Sequence, residues 1–301
     1  SLTYEYFSRL VLEGNFFEGG ESIYSYSPGA RYFIYFLHIL FGEKLKIIFI
    51  VLNAVAAFYA VIDKEFKLDS KNIFSYLTFI YLTSNAINRI FLFGMSEIFS
   101  LVLILIYLKT DSLKNRYPYI SGVILGLIMF NRVILVLGVL ALVALSKNFK
   151  TFLGFLTIGL IPFVHNLYYG NQVLLLTNDW NYQGEVVGEG YNLLTIIEEI
   201  VINIQRNFNY VIMNPLSEEI YIRVGRLLPI IFSVSVLAFI YLIIKKKNSI
   251  LNSQYLLNLV PIILVIAPFA IYDPRFFYPR FLLVPHIMFL IYCQNLKNEF
   301  S

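Results

Sequence analysis

Cysteine is nearly absent. Cys293 stands alone in 301 residues, which excludes an intrachain disulfide and any cysteine-based metal site. Charge is scarce too: 14% of residues are Asp, Glu, Lys or Arg, against roughly 25% in soluble domains. The sequence has no glycine-rich phosphate loop, no dinucleotide fingerprint, no His-Glu-x-x-His and no Gly-x-Ser-x-Gly. Those absences remove the common soluble nucleotide-binding, metalloprotease and serine-hydrolase readings. No Asn-x-Ser/Thr acceptor occurs, so nothing suggests N-glycosylation. No solenoid-type repeat or low-complexity tract is visible. Ser1 opens the chain without methionine, basic leader or signal core. A missing upstream piece with a first spanning helix is the expectation.

Apolar sequence takes the place of charge: 58% of residues are hydrophobic, with 28 Phe and 23 Tyr, and the mean hydropathy is +0.71. Such composition suits an integral membrane protein with interfacial aromatic belts. A spanning helix needs about 20 apolar residues, with a range of roughly 17 to 25. Candidate runs are Leu45–Ile62, Ile73–Phe91, Ser96–Leu108, Tyr119–Phe130, Val133–Ser146, Thr151–Leu167, Leu227–Ile244, Tyr255–Tyr272 and Phe281–Cys293. Several are short, which points to paired or broken helices in the middle. The predicted fold is all-α: a polytopic transmembrane helix bundle of about nine spanning helices with extracytoplasmic juxtamembrane helices. Residues 1–301 form one transmembrane domain, residues 1–44 its first extracytoplasmic loop and residues 168–226 a long extracytoplasmic loop. Arg31–Phe41 is about 16 Å as a helix, too short to span, and reads as juxtamembrane or re-entrant. Within the long loop, Leu193, Ile196, Ile197, Ile200, Val201 and Ile204 recur at helical spacing. They predict an amphipathic helix on the bilayer or the bundle.

With the first loop outside, the short inner loops carry Lys64, Lys67, Lys71, Lys109, Lys114, Lys147, Lys150 and Lys245 to Lys247. That is the positive-inside pattern. Nine of the ten arginines fall outside. Lysine is a solvated point charge, whereas arginine is a fork that grips phosphate or carboxylate with two bonds. The outer face therefore reads as a binding surface, with headgroup anchoring as the plainer role for any single arginine.

Particular residues then stand out. Tyr26-Ser-Pro-Gly-Ala-Arg31 is a turn that feeds a helix. Arg31 falls in the first helical turn, where the macrodipole disfavours a cation, so an anionic partner or a nearby glutamate is expected. Glu5 lies in an acidic first loop and Glu97 at the mouth of an apolar helix. A partly desolvated carboxylate there suits a general base, and a solvated loop acid is the alternative. Asn131-Arg132 interrupts two apolar runs; ionisable residues at membrane depth are functional by default, while capping is a cheaper role for the asparagine. His165 closes a helix at the outer face, where hydrogen-bonded packing is its plain reading. Arg275, Tyr278 and Arg280 share a tight loop with Pro274 and Pro279. The prolines lower the entropy of ordering it, and two guanidiniums held there suit a phosphate or diphosphate.

The stretches LTYEYFSRLVLEGNFFEGGE and YSPGARYFIYFLHILFGE, in that order and on one side of the membrane, resemble the polytopic lipid-dependent glycosyltransferases of the C superfamily (GT-C). The nearest likeness is to protein-mannosyltransferase-like and aminoarabinose-transferase-like members. It is clearest over residues 1–108 and diffuse afterwards. The resemblance implies transfer of a sugar from a polyprenyl-phosphate donor to an extracytoplasmic lipid, glycan or protein acceptor, in a plasma membrane such as the bacterial inner membrane. It implies a polyprenyl-phosphate sugar and membrane lipid as partners, no nucleic acid, no certain cofactor and a possible divalent metal. It places the main catalytic acid upstream of Ser1, carries catalytic roles onto Glu5 and Glu97, and assigns phosphate binding to Arg31, Arg132, Arg275 and Arg280, with His165 and Tyr278 as secondary contacts. The competing readings are a polytopic transporter or flippase, which predicts repeats and interrupted helices, and an O-antigen ligase- or polymerase-like protein acting on lipid-linked sugars.

Overall fold

The computed structural model describes residues 28–62, 72–84, 87, 97–132, 135–170, 227–245, 257–270 and 283–299. About nine-tenths of these residues are helical (92%), and no strand occurs among them. The elements are α1 Pro28–Phe41, a 3-10 turn Gly42–Lys44, α2 Leu45–Val61, α3 Ile73–Thr83, α4 Glu97–Lys109, α5 Asp111–Arg116 and α6 Pro118–Asn131. There follow α7 Val136–Ser146, α8 Phe149–Gly159, α9 Ile161–Gly170, α10 Leu227–Lys245, α11 Val260–Ala270 and α12 Leu283–Glu299. Among the described residues no helix is long and apolar enough to cross a membrane alone. The longest, α10, has 19 residues, about 28 Å.

Local chemistry sets the boundaries. Asn72 caps α3 by accepting from the Phe74 N–H at 3.1 Å, and Asn148 caps α8 by accepting from the Lys150 N–H at 2.9 Å. Pro118 opens α6 at a position where its missing N–H costs nothing. Lys147 ends α7 in the left-handed region at φ 49°, a conformation better suited to glycine.

The expected run Thr151–Leu167 is two helices, α8 and α9, and this corrects the single-helix reading. The break is at Leu160, whose φ of −82° and ψ of −18° remain helical. Pro162 causes it: the ring cannot donate to Ile158 and crowds that carbonyl. Helix α9 also carries the chain to Gly170, beyond the expected loop start at Tyr168.

Helix α12 is the hub and packs on α3, α4, α10 and α11. From Leu283 to Leu296 nearly every described side chain is buried, as expected of a helix enclosed on all sides. The tightest pair is α6 on α8. A Cβ on Gly122 would lie 2.0 Å from the Thr151 carbonyl oxygen, and one on Gly154 would lie 2.1 Å from that of Tyr119. Gly122 and Gly126 form a small-xxx-small stripe that lets two backbones touch.

The core is apolar, yet several helices also present apolar stripes outward and place small or polar residues inward beside the large ones. Helix α2 turns Asn53, Ala56, Ala57 and Ala60 inward and leaves Ile47, Ile50, Val51, Val55 and Phe58 exposed. Helix α3 buries Ser75 and Thr78 and exposes Ile73, Phe79 and Ile80. Helix α10 buries Ser235, which accepts or donates to His286 at 3.2 Å, and exposes Val234, Leu237, Ile240 and Ile244.

Candidate functional site

Helix α1 gathers one end of the bundle. Gly29 in its first turn sits against the end of α6, where a Cβ would fall 2.7 Å from the Phe130 carbonyl oxygen. Tyr32 reaches α9, its hydroxyl 2.6 Å from His165 Nε2 with the rings edge to face. Phe33 meets Phe99 in the first turns of α4, centroids 4.3 Å apart. Three consecutive contacts of one short helix thus bring the end of α6, the middle of α9 and the start of α4 together.

Five residues singled out in the sequence lie on these helix ends and turns. Arg132 ends α6; its N–H bonds to the Ile128 and Met129 carbonyls at 3.0 and 3.2 Å. It is 8% exposed, and among the described residues it is the only buried Lys, Arg, Asp or Glu. A cation at a helix C-terminus is favoured by the macrodipole. Asn131 uses its amide on the Leu127 carbonyl at 2.9 Å, which is a capping role. His165 is the Tyr32 partner. Arg31 precedes Tyr32 directly in α1, and Glu97 is the first residue of α4, two positions before Phe99. For Arg31 and Glu97 only the place on the helix is described. Glu5, Arg275, Tyr278 and Arg280 lie outside the described residues, as does the amphipathic stretch of the long loop.

The opposite end is built from lysine and amides. Lys109 Nζ donates to the Ala60 and Ile62 carbonyls at 2.7 and 2.6 Å, closing the last turn of α2. Gln294 Nε2 donates to Ser75 Oγ at 2.5 Å and to the Ala60 carbonyl at 3.3 Å, while Asn72 Nδ2 donates to the Gln294 carbonyl at 3.0 Å. Beside this network lies a cavity of about 520 Å³ lined by α4, α5, α6, α7, α8, α11 and α12. None of the residues nominated from the sequence lines it. Its polar lining comes from single Asn, Ser and Thr residues scattered over the chain, a pattern with no linear spacing to find.

Among the described residues no group of three or more His, Cys, Asp or Glu is placed to hold a metal ion. No family model, curated protein or solved structure matches the chain.

Proposed function

We propose that the chain is a polytopic membrane glycosyltransferase that moves a sugar from a polyprenyl phosphate to an acceptor at the arginine end of the bundle. Support for the membrane comes from the apolar outer faces of several helices. Water-soluble monomers rarely expose contiguous apolar area beyond a few hundred Å². Here large aliphatic stripes face outward on α2, α3 and α10. In lipid that arrangement costs nothing, and buried Ser, Thr, Asn and Gln bond across helices in place of a hydrophobic drive. Short helices fit if consecutive ones act together: α8 and α9 extend over 149–170 with one proline break, about 33 Å of helix, comparable with a hydrocarbon core of about 30 Å.

The observation that carries the chemistry is the buried Arg132 at the end of α6, the helix end that α1 packs against through Gly29, with the Tyr32–His165 bond joining α1 to α9 and with Arg31 and Glu97 on the first turns of α1 and α4. In the proposed step the acceptor hydroxyl loses its proton to a carboxylate and its oxygen attacks the anomeric carbon. The bond from that carbon to the phosphate oxygen breaks with inversion, and the phosphate leaves with the electron pair. Arg132 and Arg31 stabilise the charge that develops on it, a fixed cation being worth most where water is excluded. His165, held by Tyr32, lies where a second phosphate or sugar contact is needed. Glu97 is the described candidate for the base, Glu5 a second one, and Arg275, Tyr278 and Arg280 complete the proposed phosphate grip.

One observation favours a transporter or flippase instead: interruptions at Asn131-Arg132 and at Leu160–Pro162 resemble the broken helices that surround a transport site. Purified protein given radiolabelled polyprenyl-phosphate sugars separates the two. The proposal expects release of the lipid phosphate, with sugar on water or an acceptor, and loss of that release in Arg132→Ala. Labelled donor that crosses reconstituted vesicles without any cleavage favours transport and removes the transferase reading.

A further inference from the structure

The cavity at the lysine end has a wall whose polar groups are engaged with one another, a dry floor and a rim of carboxamides. On the wall, Ser121 bonds to the Tyr107 phenol. Lys114 Nζ lies 5.1 Å from the centroid of the Tyr107 ring and 3.4 Å from the Leu108 carbonyl, so its charge already rests on an aromatic face and a backbone dipole. The floor is Leu142, Ile262, Met288 and Ile291, all buried. The rim is Asn115, Asn148, Asn258 and Asn295, all exposed. These four come from α5, the cap of α8, the turn before α11 and α12 itself. Asn148 commits its side-chain oxygen to the Lys150 N–H and keeps its amide donors. Asn115, Asn258 and Asn295 make no side-chain hydrogen bond among the described residues.

Among the described residues no carboxylate lines the cavity, so a cation finds no counter-charge there. An anion finds a lysine that is already engaged. The uncommitted groups are neutral: carboxamides, each able to donate and to accept, set above an apolar floor. An uncharged sugar matches both parts. Its hydroxyls donate and accept at once, as the carboxamides do, and the C–H face of its ring can lie on Met288 and Ile291. The volume of about 520 Å³ falls in the ordinary range of small-ligand sites, roughly 300 to 1,000 Å³.

We propose that this cavity binds an uncharged mono- or disaccharide, held by the rim carboxamides over the apolar floor. The site lies at the opposite end of the bundle from Arg132 and is independent of the transfer reaction.

The test uses the full chain in phosphatidylcholine nanodiscs, which carry no sugar of their own. Glucose, galactose, mannose, maltose and sucrose are added one at a time, with glycerol 1-phosphate and choline as charged probes. Saturation-transfer NMR detects binding, and titration gives the affinity. At least one of the sugars is expected to bind at millimolar concentration or below, and more tightly than either charged probe. Asn258→Leu and Asn295→Leu each weaken that binding by about tenfold, the loss expected for one or two hydrogen bonds. Both residues are exposed, and an unchanged melting transition without sugar shows that the variants fold. Arg132→Ala leaves the binding as it is. Binding by none of the five sugars overturns the proposal, as does unchanged binding in both asparagine variants, which marks a non-specific surface. Sugar binding lost in Arg132→Ala and kept in Asn295→Leu overturns it by moving the sugar to the other end. Tighter binding of glycerol 1-phosphate or choline overturns it in favour of a charged ligand.

Discussion

At one end of the bundle Lys109 closes the last turn of α2 through the Ala60 and Ile62 carbonyls. At the other, Arg132 is buried at the end of α6, the helix end that Gly29 of α1 packs against, and Tyr32 of the same α1 bonds to His165 on α9. The first cation has backbone partners that account for its place. The second is a guanidinium buried at a helix end, of a shape suited to bidentate anions. Lysine at a helix C-terminus is a structural device that any sequence can adopt. A buried arginine is costly to place and, under the proposed function, is held there for an anionic substrate. The lysine end should therefore respond to substitution through stability, and the arginine end through function.

The comparison breaks first at the helix that joins the two ends. Gly122→Leu forces a side chain into the Thr151 carbonyl and separates α6 from α8. A loss of about 3 kcal/mol is expected, read as a collapse of the melting transition in detergent, with both ends lost together. Next, Lys109→Met removes two charged hydrogen bonds at the lysine end. Thermal unfolding should report about 2 kcal/mol while donor cleavage per folded molecule stays unchanged; reduced cleavage would mean that the two ends are not separable. Tyr32→Phe deletes the 2.6 Å bond to His165 and should cost about 1 kcal/mol, with the larger effect on donor affinity. A purely structural role would leave that affinity alone. The smallest effect is a gain: Lys147→Gly relaxes the residue at φ 49° and should stabilise by about 0.5 kcal/mol, measured as a slightly higher melting temperature. No gain would show that the lysine stem packs favourably there.

Helix content was legible because the apolar runs are long and free of charge. Leu45–Val61 and Leu227–Lys245 match their expected runs within a residue. The break at Leu160 was less legible, because Pro162 sits in an otherwise continuous apolar stretch and a proline near a helix start is equally common. Arg31 and Glu97 stand out in sequence as charges at the doorstep of apolar helices, and His165 as one of three histidines. Their neighbours Tyr32 and Phe33 do not, since aromatic residues are everywhere in this chain. The cavity was illegible for the opposite reason: Ser121, Thr151 and Asn295 are ordinary residues until three helices bring them side by side. What periodicity cannot encode is which turns meet.

The account depends on the two ends facing opposite sides of a membrane. Lys147 is exposed in the turn between α7 and α8, and Tyr168 is 78% exposed beyond His165 on α9. The native Cys293 is buried, so the parent chain serves as the blank. Lys147→Cys and Tyr168→Cys variants in right-side-out membrane vesicles, treated with an impermeant maleimide, give the most direct reading. Labelling of Cys at 168 in intact vesicles, and of Cys at 147 only after permeabilisation, is the predicted result. Labelling of both positions from the same side would contradict it.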